Sequence, residues 1–248
     1  MHSYYKFGMS LGDTILVKYS ICITNYNTKD TICESMESIL GQLDSDFEVI
    51  VCDNCSDDGS REVLEEYYRK GRIKLVVKKS SRGKGRRISY ENSRGDYIIS
   101  GIDTDDILKP TIKDLLRMYH DQHEGYALSF ATVHIIPRQL VEAIGGWRDL
   151  QYYEDVDFVK RIESLSKLHY FTDPSIIIEQ RGNAKVKRGP LHRLKERYSA
   201  YQCGFKVGHN ILEDAMRTSQ YKPIEFLIAL FALAACKIRR EKRFEYNC

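Results

Sequence analysis

Two acidic clusters, about fifty residues apart, hold the side chains best suited to chemistry. The first, Asp103-Thr104-Asp105-Asp106, comes directly after the apolar run Tyr97-Ile98-Ile99. Carboxylates at the carboxyl end of a buried strand are costly unless a cation or a proton neutralises them. Capping a helix would use one aspartate, not three. Hard divalent cations take oxygen ligands, and Mg²⁺ or Mn²⁺ is commonly shared between one or two carboxylates and the phosphates of a substrate. Asp103 and Asp105 therefore read as metal ligands. The second cluster, Glu154-Asp155-Val156-Asp157, sits among Trp147, Tyr152, Tyr153 and Phe158. A carboxylate in that setting can act as a general base. A helix N-terminus that favours negative charge accounts for it equally well, and both readings stay open on these residues alone. Together the clusters predict an enzyme that moves a phosphate-activated group.

Four short apolar runs, at 19–24, 47–52, 73–77 and 96–102, have strand length, and helical patterns separate them. The alternation predicts a parallel sheet with helices on both faces. In such sheets ligands bind outside the carboxyl ends of the strands, where Thr24–Asn27, Asp53 and Asp103–Asp106 all fall. Asp53, flush with its strand end, reads as a ligand contact; Asp57 and Asp58 read as turn and cap residues. Residues 80–85 read as a loop, 86–94 as a helix and Gly95 as its C-cap. The segment Arg82-Gly83-Lys84-Gly85-Arg86-Arg87 lacks P-loop spacing, and Arg82 is its candidate contact to a base or pyrophosphate. Further on, the pattern predicts helices over 111–120 and 155–165, a strand over 126–136, a short helix after Pro137 and a last strand over 169–178.

A chain of 248 residues accommodates one α/β domain with a short appendage. A net charge of +3 is too small to predict nucleic-acid binding. The seven cysteines are odd in number and several lie in apolar runs, as expected of reduced thiols in a cytoplasmic protein. Cys52-x-x-Cys55 has no second pair at zinc spacing. No signal peptide is visible, and no run reaches the ~20 apolar residues that span a bilayer. From Arg181 to Arg197 the chain turns basic, and the apolar run 224–236 is closed by Lys237-Ile238-Arg239-Arg240-Glu241-Lys242-Arg243. The preferred reading is peripheral contact with an anionic membrane surface through 223–243. Packing on the domain, or on a second copy in a homodimer, is the alternative.

These segments, taken together, resemble the family-2 glycosyltransferases over roughly residues 19–180. The carriers are Ser20 to Asn27, Val49 to Ser60, Arg82-Gly83, Gly95 to Ile98, Asp103 to Asp106, Gly145-Gly146-Trp147 and Glu154 to Asp157. The resemblance implies a GT-A (Rossmann-like) α/β fold: a mostly parallel central sheet with helices on both faces, preceded by an extension over 1–18. Residues 181–248 would form a basic, mostly helical C-terminal extension. It also implies that Thr24, Tyr26 and Asp53 hold the nucleotide base and ribose, with Arg82 near the base. Asp103 and Asp105 would form a D-x-D, with Asp105 nearest the metal (Mn²⁺ or Mg²⁺) and the diphosphate. Asp155, with Glu154 beside it, would deprotonate the acceptor. The implied reaction is inverting transfer of one sugar from a nucleotide-diphosphate sugar to a hydroxyl of a glycan, polysaccharide or lipid-linked acceptor. Ile23 replaces the family's usual Pro, and of its Ala-Arg-Asn only Arg86 is kept. The Q-x-x-R-W of polymer-extruding synthases is missing. A sugar-1-phosphate nucleotidyltransferase would need a Gly-rich loop where Thr24-Asn25-Tyr26-Asn27 stands. A non-catalytic carbohydrate-binding scaffold would have no use for Asp103, Asp105 and Asp155.

Overall fold

Strand β1 (Tyr19–Asn25) is buried on both faces because it runs through the middle of a sheet. The computed structural model describes residues 17–130, 132–171, 177–180, 190–218, 222–239 and 242–244. On one flank β1 pairs in parallel with β2 (Phe47–Asp53), and β2 with β3 (Lys74–Val77). On the other it pairs in parallel with β4 (Tyr97–Ser100). The sheet has seven strands in the order β3-β2-β1-β4-β7-β6-β8, completed by β6 (Ala127–Phe130), β7 (Val133–Pro137) and β8 (Leu168–Phe171). β7 runs antiparallel to both neighbours, whereas β6 and β8 are parallel.

Successive strand residues face opposite sides of the sheet, so each side has its own core. Ile21, Ile23, Val49, Val51, Ile99 and Ile135 pack on α1 (Lys29–Leu40), α2 (Ser60–Arg69) and α4 (Ile112–Gln122). Cys22, Ile98 and Ile136 face the other way, toward Trp147, α5 (Arg138–Ala143) and α6 (Glu154–Glu163). Tyr90 of α3 (Arg82–Glu91) joins that second core. Helices α7 (Pro190–Lys206), α8 (Ile211–Thr218) and α9 (Lys222–Ile238) pack on one another around Tyr201, Ile211, Ala215, Ala229 and Ala232. Among the described residues, no helix is long and apolar enough to cross a membrane.

Several elements depart from the sequence reading. Helix α3 begins at Arg82, not 86, so Arg82-Gly83-Lys84-Gly85 is its first turn rather than a loop. Ser81 caps it, its Oγ accepting from the Lys84 N–H at 3.2 Å. The helix ends at Glu91, and Gly95 is no cap: a Cβ there would stand 2.7 Å from Ser20 Oγ, so the glycine lets the chain approach β1. The apolar stretch 126–136 is a hairpin, β6 and β7; it reads as a single strand because both strands are buried and no Gly or Pro marks the turn. The last predicted strand is two. β8 joins the main sheet, while β9 (Ile178–Gln180) pairs antiparallel with β5 (Asp106–Leu108) in a separate ribbon. The basic residues Arg181, Lys185, Lys187 and Arg188, and the extension before residue 17, lie outside the described residues.

Candidate active site

The carboxyl ends of β1, β2 and β4 are tied together by one buried amide. Asn25, 1% exposed, donates through Nδ2 to Asp53 Oδ1 (2.7 Å) and Ser56 Oγ (3.1 Å). Its Oδ1 accepts from the hydroxyls of Thr28 (2.6 Å) and Thr104 (2.8 Å). Thr104 lies inside the first acidic cluster, so Asn25 holds the acidic turn to the centre of the sheet. Buried polar groups must be satisfied in this way. Asp53 is fully buried, and its oxygens accept from Asn25 and from the Ser56 N–H and hydroxyl. It braces this strand end from within. The half-buried Asn54 beside it reaches outward, accepting from the Ser80 N–H at 2.7 Å. Tyr26 is 54% exposed, and Thr24 lies against Gly85 of α3.

The acidic turn begins at Gly101, whose φ of +85° and contact with the Thr132 carbonyl leave no room for a side chain. Carboxylate oxygens of Asp103, Asp105 and Asp106 all lie within 4.8 Å of one another. Asp106 accepts from the Asp103 N–H at 3.0 Å. Burial, and then the charges of Asp103 and Asp105, push its pKa up to about 6. Three oxygen donors that repel one another fit a hard divalent cation, which would relieve that repulsion. Asp106 therefore joins the two expected ligands in the cluster.

The second cluster opens α6. Tyr153, in left-handed conformation at φ +62°, precedes it, and Glu154, Asp155 and Asp157 occupy the first turn, where the helix dipole favours negative charge. The structure separates their roles. Asp157 is fully buried between Arg148 (2.8 Å) and Arg161 (2.7 Å), an internal brace. Glu154 is 3% exposed and lies 3.6 Å from both Arg82 and Arg86; burial, then the Asp155 charge, raises its pKa. Only Asp155, with 29% of its side chain exposed, opens toward solvent.

Arg86 joins the two clusters. Its side chain is 3% exposed, and Nη2 reaches Asp155 Oδ2 at 3.0 Å and Asp103 Oδ1 at 3.8 Å. Burial would discharge it, yet Asp155, Asp103 and Glu154 hold its pKa above the ordinary arginine value. Gly83 makes the approach possible. Its N–H donates to the Leu150 carbonyl at 2.8 Å, and a Cβ would collide with the Arg148 carbonyl. The structure thus brings Arg82, Asp103, Glu154 and Asp155 around a residue that sequence reasoning noted only as a motif match. The match of Arg86 to the family motif was the one signal the sequence carried for it. Cys52 and Cys55 are both free thiols, and burial pushes Cys52 up to about 11, so the C-x-x-C is no disulfide.

Comparison with known proteins gives a consistent picture. The family described as Glycosyl transferase family 2 matches residues 20–164, more than half of the chain. A poly(ribitol-phosphate) beta-N-acetylglucosaminyltransferase, TarS of Staphylococcus aureus, is 29% identical over 119 residues, 46% of this chain and 21% of that protein. The chain thus spans about a fifth of the length of this curated relative. Among solved structures, S. aureus TarS 1-349 in complex with UDP-GlcNAc superposes with a TM-score of 0.58 at 16% identity, covering 89% of this chain and 72% of the other. The mannosyltransferase PcManGT from Pyrobaculum calidifontis, in complex with GDP-Man and Mn²⁺, gives 0.59 at 16% identity, covering 89% and 75%.

Proposed function

The chain belongs to glycosyl transferase family 2, with the GT-A fold, and from that membership we propose that it transfers one sugar from a nucleotide-diphosphate donor to an acceptor hydroxyl, with inversion. The observation that carries this reading is the Arg86 bridge, which sets a cation-type carboxylate cluster beside an accessible carboxylate. Asp105 and Asp103, with Asp106, would hold Mn²⁺ or Mg²⁺, which when bound offsets charge on the departing nucleotide diphosphate. Asp155 takes the proton of the acceptor hydroxyl, since Glu154 is enclosed by two arginines. Arg82, half-exposed at the mouth, and Thr24 and Tyr26 at the end of β1 meet the donor; Asp53 acts there by bracing Asn25 and Ser56. The ligands of the two solved relatives support a nucleotide-sugar donor, and TarS's poly(ribitol-phosphate) acceptor supports a role in polysaccharide assembly.

The C-terminal unit, 181–248, supplies a second part of the reading: peripheral attachment at the cytoplasmic membrane face. On α9 the small residues Ala229, Ala232 and Cys236 are buried, while Ile224, Leu227, Phe231 and Ile238 point outward beside the exposed Lys237 and Arg239.

A thermal-shift panel of nucleotide diphosphates and nucleotide sugars, with and without Mn²⁺, tests the donor site. A ligand at a hundred times its Kd stabilises by about 2.7 kcal/mol, so the matching nucleotide should raise Tm by roughly 5 °C or more. Asp105→Ala should abolish the Mn²⁺-dependent part of that shift. Asp155→Asn should keep the shift and lose transfer. No shift with any nucleotide would favour the scaffold reading.

A further inference from the structure

His134 lies near the start of β7 and takes no part in the reading above. Register sets it beside Ser100 on β4 and Ser129 on β6. Residues paired across strands project to the same face, so the three form one polar patch, all 2% exposed or less. On that same face, two residues along each strand, Ile98 and Ile136 pack with Trp147 and Phe158. The face under α3 and α6 thus turns from apolar to polar at the end where β4 runs into the acidic turn. Nothing about packing calls for this, since burying an unsatisfied polar group costs about 1–3 kcal/mol.

The hydrogen-bond inventory of the patch is incomplete. His134 Nδ1 lies 3.0 Å from Ser129 Oγ, but His134 Nε2, Ser100 Oγ and Trp147 Nε1 are buried without a hydrogen-bond partner among the described residues. Asp155 Oδ1 is in the same condition, while Oδ2 is held by Arg86. Asp155 and Arg86 are also the two charged groups whose fields act on the His134 ring. With Arg86 Nε and Nη1, which are also buried without a hydrogen-bond partner among the described residues, these groups are of the kind that buried water commonly links.

We propose that His134 is a positioning residue for Asp155, its neutral imidazole presenting an Nε2–H, directly or through one buried water, to the Asp155 oxygen that Arg86 does not hold. In direct contact a carboxylate offers only acceptors, so the ring nitrogen facing it carries the hydrogen, and the Ser129 hydroxyl then donates to Nδ1. Burial outweighs the opposing charge of Asp155 and, with a lesser contribution from Arg86, holds the His134 pKa down to about 4, which keeps the ring neutral at physiological pH. Held from both sides, the Asp155 carboxylate keeps one orientation toward the acceptor. The catalytic meaning of that hold rests on Asp155 being the base, but the hold itself does not.

Heteronuclear NMR of isotope-labelled histidine reads the tautomer, with His134 assigned by the signal that His134→Gln removes. The expected result is an Nε2-protonated ring through the neutral and mildly acidic range, with its Nε2 signal moved by Asp155→Asn. An Nδ1-protonated ring, or an Nε2 signal indifferent to Asp155→Asn, overturns the proposal whether or not the chain transfers sugar. With the donor identified, His134→Phe should lower kcat on the order of tenfold at unchanged donor KM, the usual scale for loss of such a supporting contact. His134→Gln, which keeps an N–H, should recover most of it. Equal kcat in the two variants overturns the proposal, and Tm measured alongside separates it from a loss of folding.

Discussion

Without its guanidinium, Arg86 would leave Glu154 enclosed beside Asp155 with only the half-exposed Arg82 in reach. A buried ion pair adds little net stability against an apolar replacement of both partners, but deleting one partner strands the other. Arg86→Met should therefore cost about 3 kcal/mol, seen as a Tm lower by roughly 10 °C. Adding Glu154→Gln should return part of the loss, because the stranded charge is then gone. An unchanged Tm in the single variant would mean that the carboxylates do not depend on this arginine. Asp53 carries a different lesson at the same scale. Its place at a strand end predicts ligand contact, yet its oxygens are taken up by Asn25 and Ser56. Residue type and position were legible in the sequence; the direction of the side chain was not.

The contact between α3 and the loop before α6 decides whether the two clusters can meet. Gly83 lies in the first turn of α3, where helix propensity favours alanine by about 1 kcal/mol. Geometry reverses the sign, since the added methyl would meet the Arg148 carbonyl and stand 3.1 Å from Glu154 Cβ. Gly83→Ala should thus destabilise, by about 1–3 kcal/mol as overpacking does, and should disturb the Arg86 bridge. Chemical denaturation measures it, and a stabilised variant would show that α3 can move away freely. The start of α3 was hidden in the sequence because glycines and charges imitate a loop. The Ser81 cap and the packing of Gly83 and Gly85 override that local signal.

At the scale of the whole molecule, the outward stripe of α9 is an apolar feature in need of a cover. Ile224 and Leu227 are each 53% exposed, Phe231 70% and Ile238 81%, at spacings of three, four and seven residues that keep them on one side of the helix. Leu227→Glu with Phe231→Glu should abolish co-sedimentation with anionic vesicles while leaving stability within about 0.5 kcal/mol, as surface substitutions do. If the pair instead converts a dimer to a monomer in sedimentation analysis and leaves vesicle binding intact, the second-copy reading replaces the membrane one. The sequence run 224–236 could not distinguish these faces, because alanine and leucine read alike in an apolar window.

By itself, the amino-acid order determined the alternation of strands and helices, the two acidic clusters at their ends and the family to which the chain belongs. Those are local or serial properties, written in periodicity and motif spacing. Tertiary structure alone decided that Arg86 joins the clusters, that Asp106 completes the first, and that Glu154 is enclosed while Asp155 is open. It also decided that β7 runs antiparallel, which places His134 beside Ser100 and Ser129. The physical reason is the same each time. Burial and charge pairing depend on which faces meet across sequence separations of dozens of residues, and no window along the chain contains both partners.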